Sequence, residues 1–297
     1  MKNLAGRTAF ITGGANGIGL GLARALLAEG CKVAIADIRQ DALDAVETSM
    51  DNHELLPIKL DVSSREGFAK AADQAESELG PVSLLFNNAG INLFQSIDES
   101  SYDDWDWVLG VNLHGVVNGI MTFVPRMKVR GGDAHIVNTA SMACFLASGV
   151  PGIYNTSKFA VRALTESLRY SLQPHGIGVS LLCPGLVNSA IHDSDSLRPE
   201  ALPDRGKPAD VSFKAKLADV HQFGMDPMEV AEKVLAAIRE DKFYIFPHPE
   251  HKAELQEIFD EIIAAYPDGE TPAKRAEFEA IRRDNFRAAR LKAGIAK

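Results

Sequence analysis

Short apolar runs alternate with longer amphipathic segments along this chain, and that rhythm limits the fold more than any other feature. The apolar runs are residues 8–12, 33–36, 55–60, 82–86, 135–138, 179–183 and 243–246. They lack strict apolar–polar alternation, as strands buried on both faces should. Between them lie segments with helical spacing, such as Ile18, Leu22, Ala25 and Leu26, or Val161, Leu164, Leu168 and Leu172. Strand and helix taking turns predict an α/β fold: a doubly wound, parallel, seven-stranded sheet with helices on both faces.

Two regions break the rhythm. Residues 188–227 are rich in Asp, Ser, Pro and Gly and show no clean period. A structureless connection of that length is usually functional, so a substrate lid is expected there. Beyond Pro249 come two amphipathic stretches, about 250–265 and 272–292, with a basic tail and no strand partner. The predicted organisation is a catalytic sheet domain over 1–249 and a helical extension over 250–297, packed on that domain or on a neighbouring subunit.

The turn Thr12-Gly13-Gly14-Ala15-Asn16-Gly17-Ile18-Gly19 joins the first strand to the first helix. Glycines there permit a tight turn and a close approach of backbone to a pyrophosphate, and the helix N-terminus offers free N–H groups and a positive dipole end. Gly13, Asn16, Gly17, Ile18 and Gly19 are therefore candidate phosphate contacts. Asp37 stands at the end of the second strand, 18 residues past Gly19. A carboxylate there accepts hydrogen bonds from adenosine ribose hydroxyls and repels a 2′-phosphate, which favours NAD over NADP. Arg39, two residues on, is the complication, because it is able to pair with such a phosphate.

Tyr154-Asn155-Thr156-Ser157-Lys158 opens a helical stretch, so Tyr154 and Lys158 share a face one turn apart. A phenol is a poor base at neutral pH, and a neighbouring ammonium favours its ionised form. Lowering the phenol to near pH 7 takes about 4 kcal/mol of differential stabilisation. The expectation is that Lys158, helped by a positive nicotinamide ring, supplies it.

Composition narrows the function classes. Lys and Arg number 31 against 40 Asp and Glu, a net charge of −9, so no field draws the chain to a nucleic-acid backbone. Three widely spaced cysteines suggest neither a disulfide framework nor a zinc site, and no metal is expected. The first residues do not resemble a signal peptide, and no stretch approaches the ~20 apolar residues of a membrane helix. A cytoplasmic protein without a membrane association is the expectation. His248-Pro249-Glu250-His251 has a faint look of a metal pair, but Pro249 breaks the helix such a pair needs, so it reads as a surface loop.

Together, Thr12 to Gly19, Asp61, Asn87-Asn88-Ala89-Gly90, Asn112, Ser141, Tyr154, Lys158 and Pro184-Gly185 resemble the short-chain dehydrogenase/reductase family over about residues 5–247. The resemblance implies a Rossmann fold and hydride transfer between a nicotinamide cofactor and a secondary alcohol or ketone. It assigns Tyr154 the proton exchange with substrate oxygen, and Lys158 the nicotinamide ribose. Ser141 would polarise the carbonyl, and Asn112 would help hold a proton-relaying water. Asp61 and Val62 would flank the adenine, while Asn88, Ala89 and Gly90 line the ribose side. Pro184, Gly185, Val187 and Ser189 would meet the carboxamide end. Taken by the residues alone, Asn112 also fits a role in satisfying buried backbone groups, and Ser141 a helix N-cap.

In the same family the substrate wall would include Phe94, Met142, Phe145, Leu146 and Val150, apolar and without a basic cluster, which suits a hydrophobic alcohol or ketone. Residues 102–107 and the segment from Phe243 onward are similar to a bacterial subgroup that includes Cα-dehydrogenases acting on the benzylic alcohol of lignin-derived aryl ethers. The resemblance also implies a homodimer or homotetramer. Three alternatives stay open. A methyltransferase shares the glycine turn but needs none of Tyr154, Lys158 and Asn112. An epimerase or dehydratase would use the same scaffold, and a non-catalytic NAD sensor would typically lose the Tyr–Lys pair.

Overall fold

The computed structural model describes residues 1–207 and 211–292. Seven strands form one parallel sheet: β1 (Thr8–Thr12), β2 (Lys32–Asp37), β3 (Leu55–Lys59), β4 (Val82–Asn87), β5 (Ala134–Thr139), β6 (Ile177–Leu182) and β7 (Tyr244–Ile245). Their spatial order is β3-β2-β1-β4-β5-β6-β7. Chain growth thus runs outward from β1 to β3, then jumps back across β1 to β4 and continues the other way. Crevices at such a reversal, beyond the carboxyl ends of the strands, are where open α/β sheets bind ligands.

Every residue of β1 and of β4 is buried, and alternate side chains serve opposite faces. Phe10 and Leu85 enter one core, with Phe68 of α3 (Arg65–Leu79), Phe123 of α5 (Gly115–Arg130) and Val161 of α6 (Gly152–Leu172). Ile11 and Leu84 enter the other, with Leu22 of α1 (Gly17–Ala28), Leu43 of α2 (Gln40–Met50) and Val234 of α8 (Pro227–Arg239). Two apolar faces explain the near-continuous apolar strands. The three rings of Phe10, Phe68 and Phe123 lie within 6.3 Å of one another, in tilted and edge-on pairs that suit aromatic quadrupoles.

The run Tyr102–Arg130 corrects one expectation. It comprises α4 (Tyr102–Leu109), a π turn over Gly110–His114, and α5, and it is long and apolar enough to cross a membrane by length and composition alone. Just over half of its most apolar stretch, 56%, is buried inside the protein, as expected of a helix lying on a sheet. Its apolarity answers to the core.

The expected lid is also more ordered than its composition suggests. It holds a 3-10 run, Ala190–Leu197, and α7 (Val211–Gln222), while residues 208–210 lie outside the described ones. Frequent Asp and Ser masked short helices whose stability comes from tertiary anchoring rather than from an amphipathic stripe. Following β7 are α9 (Lys252–Ala264) and α10 (Ala273–Lys292); the end of the basic tail, 293–297, lies outside the described residues. On α9, Leu255 packs against the core and Phe259 meets Phe145 at 6.3 Å between ring centres. No residue of α10 is buried.

Candidate active site

The glycine turn shapes one wall of a cleft at the β1–β4 reversal. Gly13 and Gly17 have φ of +62° and +48°, a region that disfavours side-chain-bearing residues. A Cβ on Gly13 would lie 2.9 Å from the Ala89 Cα, and one on Gly19 would lie 2.0 Å from the Gly13 carbonyl oxygen. The backbone here is packed as closely as it can be. Asn16 caps α1 without a side-chain hydrogen bond, so no cap occupies the first helical amides and they stay available to an anion. Gly13, Asn16, Gly17 and Ile18 line the cleft together with Asp37, Asp61, Val62, Asn88, Ala89, Gly90 and Ser189. These features fit a dinucleotide laid across the strand ends.

Asp37 is 8% exposed at the end of β2. Its Oδ2 accepts from the Ala15 N–H at 3.2 Å and its Oδ1 from the Arg39 N–H at 3.1 Å. The Arg39 Nε stands 3.7 Å from Oδ1, so the guanidinium that raised the question of a 2′-phosphate leans on the carboxylate. Asp61 is exposed, with Oδ1 accepting from both the N–H and the hydroxyl of Ser63.

A continuous chain of hydrogen bonds links the glycine turn to the lysine. The Thr12 hydroxyl accepts from the N–H groups of Asn88 and Ala89 at 2.9 and 3.0 Å. The Asn88 amide donates to the carbonyls of Thr12 and Gly13 and accepts from the Thr139 hydroxyl at 3.2 Å. Lys158 then donates to the Thr139 carbonyl at 3.0 Å. A Cβ on Gly90, in the cleft wall, would be 3.4 Å from the Lys158 Nζ, which puts the ammonium directly behind that wall.

Tyr154, in the first turn of α6, is 9% exposed. Burial pushes its phenol up to about 12, partly offset by a hydrogen bond with Ser141. Burial also brings Lys158 down to about 8. The expected lowering of Tyr154 invokes a positive nicotinamide ring beside Lys158, and these shifts belong to the protein without one. The ammonium lies over the ring, 5.4 Å from its centre, and in the protein by itself desolvation outweighs any benefit to the phenolate.

Ser141 follows β5 and does what its alternative reading offered, capping the 3-10 turn Met142–Cys144 by accepting from the Ala143 N–H at 3.2 Å. Capping leaves the hydroxyl in contact with Tyr154, so the two readings are compatible. Asn112 sits in the π turn, fully buried. Its Oδ1 accepts from the Ile91 N–H at 2.8 Å, and its Nδ2 donates to the Ile91 carbonyl and the Ser157 hydroxyl at 2.9 and 3.0 Å. The side chain is thus spent on tying the helix to the loop after β4, and a water would have to be held by its main chain.

Phe145 lies under the Arg162 guanidinium at 4.0 Å and beside Phe246 at 5.7 Å. Ile91, Trp107, Val111, Ile191 and Leu197 line the dinucleotide cleft. No sequence signal ties Ile191 and Leu197 to Trp107, since they meet only through the lid.

The lid is latched. Asp104, fully buried in the capping box of α4, accepts from Gln95 and from the N–H groups of Ser101 and Gly206, and pairs with the Arg198 guanidinium. Arg198 stacks on Trp107 at 4.9 Å. Lys207 adds an ion pair with Glu99 at 2.9 Å. His248 corrects a further expectation: it is buried, not part of a surface loop, because its ring is taken up by the Gly185–Leu186 backbone. Among the described residues no cluster of three or more metal-ligating side chains occurs.

Comparison with known proteins supplies the rest. The short chain dehydrogenase family model matches residues 7–199. The chain belongs to the short-chain dehydrogenase family. It is a nicotinamide-dependent oxidoreductase. A Cα-dehydrogenase from Sphingobium sp. is 37% identical over 286 residues, covering 95% of this chain and 94% of its own. A solved structure from Novosphingobium aromaticivorans, assigned to the short-chain dehydrogenases, is 52% identical, with a TM-score of 0.84 over 97% of this chain and 99% of its own. A third relative, a short-chain dehydrogenase/reductase from Burkholderia phymatum in complex with NAD, is 35% identical, with a TM-score of 0.86 over 92% of this chain and all of its own.

Proposed function

We propose that the chain oxidises a hydrophobic secondary alcohol, of the benzylic class, to its ketone with NAD as the acceptor. The observation that carries the chemistry is the convergence of the Ser141 hydroxyl, the Tyr154 phenol and the Lys158 ammonium, the last of them behind the Gly90 wall of the cleft. The aryl substrate class rests on the likeness to a Cα-dehydrogenase along nearly the whole chain and on the apolar lining from Trp107 to Leu197.

In this reading Gly13, Asn16, Gly17, Ile18 and Gly19 hold the pyrophosphate and Asp37 holds the adenosine ribose, with Arg39 kept on the carboxylate side. Asp61 and Val62 flank the adenine. Asn88, Ala89, Gly90 and Lys158 border the nicotinamide ribose, and Pro184, Gly185, Val187 and Ser189 the carboxamide end. When bound, NAD supplies the hydride acceptor. Tyr154 takes the alcohol proton at its phenolic oxygen, and Ser141 donates to the same substrate oxygen where negative charge develops. Lys158 holds sugar hydroxyls and favours the phenolate once the pocket also contains a positive ring. Asn112 fixes the π turn behind Lys158. The sheet domain over 1–249 acts with its lid at 188–227, the extension over 250–297 packs on that domain or on a neighbouring copy, and the assembly is a homodimer or homotetramer.

A panel of secondary alcohols, aryl and alkyl, scored by NADH absorbance with NAD and NADP in parallel, tests this. Aryl carbinols with NAD should give the highest kcat/KM. Turnover of small alkyl alcohols alone would remove the benzylic assignment, and preference for NADP would remove the cofactor assignment.

A further inference from the structure

One histidine outside the family motifs grips the backbone at the carboxamide end of the cleft. His248, just after β7, is 5% exposed. Its Nδ1 accepts from the Gly185 N–H at 3.0 Å, and its Nε2 lies 2.9 Å from the Leu186 carbonyl oxygen. An N–H pointing at Nδ1 requires that nitrogen to be bare, so the hydrogen is on Nε2 and is donated to Leu186. The ring is neutral, in one tautomer, with both nitrogens used.

The same short segment is pinned from its other side. The Leu186 carbonyl also accepts from the Met225 N–H at 3.0 Å, and the Asn188 N–H donates to the Met225 carbonyl at 3.0 Å. Val187 is held between these two restraints. One residue upstream, the Pro184 carbonyl accepts from the Met142 N–H at 2.8 Å and the Ser141 hydroxyl at 3.4 Å. A Cβ on Gly185 would fall 2.5 Å from the His251 Nε2 and 3.1 Å from the His248 Cγ, so the two rings lie flush on the glycine. Loops are mobile by default, and a loop that must present main-chain groups to a ligand needs such bracing.

We propose that His248 is a positioning residue for the nicotinamide end of the cofactor: by holding Gly185 and Leu186 it sets the main chain of Val187 and, through Pro184, the placement of Ser141. The idea rests on the reading of 184–189 as the carboxamide-binding segment. It gives the short stretch between β7 and the C-terminal extension a share in the chemistry.

The test compares two ligands that differ only at the far end, NAD and ADP-ribose, in the full-length chain. His248→Ala should lower the cofactor-free Tm by a few degrees through the lost buried hydrogen bonds, leave ADP-ribose affinity near wild type, weaken NAD about tenfold, and lower kcat about a hundredfold through misplacement of the reacting groups. His248→Asn, which keeps an acceptor for the Gly185 N–H but cannot reach Leu186, should fall between the two and serves if the alanine variant does not fold. Equal weakening of NAD and ADP-ribose, or no change in either, would overturn the proposal. If the wild-type protein binds NAD no differently from ADP-ribose, the carboxamide reading itself fails, independently of His248.

Discussion

The Lys158 ammonium lies 5.4 Å from the centre of the Tyr154 ring, while its hydrogen bond goes to the Thr139 carbonyl. Lysine and phenol are neighbours without being bonded. Tyr154 therefore depends on what enters the pocket, as well as on Lys158, to become a base.

Tyr154→Phe keeps the ring and removes only the hydroxyl. Cofactor affinity, read by titration, should be unchanged, while kcat/KM for the best alcohol should fall about a thousandfold or more. A variant retaining most of its turnover would exclude Tyr154 as the acid–base group.

Lys158 also leaves a mark on stability. Its folded value, about 8, lies below its ordinary value of 10.5. Between those two values the unfolded chain binds more protons, so this group raises stability as pH climbs from about 8 towards 10.5. Tyr154, raised from 10 to about 12, acts in the opposite sense above pH 10, where the unfolded chain loses a proton that the folded one retains. The Tm of wild type relative to Lys158→Met should thus increase from pH 8 to pH 10 in cofactor-free protein. A difference that is flat or shrinking over that interval would contradict the buried placement of the ammonium.

Asp37→Ala removes the ribose acceptor and frees Arg39. The ratio of kcat/KM for NAD to that for NADP should drop about tenfold, the scale of a hydrogen bond to a charged group. An unaltered ratio would show that Asp37 does not touch the adenosine ribose.

Asp104→Ala leaves the Arg198 guanidinium buried without its partner. Breaking a buried pair from one side destabilises by about 3–5 kcal/mol, and here the loss should concentrate in residues 190–207. Limited proteolysis should cut that segment faster, and the Trp fluorescence should change as Arg198 leaves the Trp107 ring. In Arg198→Met the same aspartate loses one of several donors, so a smaller Tm drop is expected than for Asp104→Ala.

Much of this was legible in the residues themselves. The seven apolar runs lie on the seven strands, because a strand covered on both sides has little room for polar residues. The glycine turn announces itself since Gly13 and Gly17 must take positive φ. Other relationships had no local signal. Asp104 and Arg198 stand 94 positions apart, and each alone looks like a solvated charge. His248 looked like loop because the two backbone groups it binds belong to a segment 62 and 63 positions away. The contact of Phe145 with Phe259 of α9, 114 positions on, has no local signal either. Sequence shows that Lys158 neighbours the phenol, and hides how much water burial removes from both groups.

The jump from β3 back across to β4 divides the machinery. Glycine turn, Asp37 and Asp61 come from the first three strands; Asn88, Ser141, Tyr154 and Pro184 come from the next three. A ligand reaching from Asp37 to Gly185 is therefore a strap across a seam, and its departure should loosen one half against the other before either half melts. Hydrogen exchange along β1 and β4, followed with and without NAD, should show the exchange of both strands slowed when the ligand spans them.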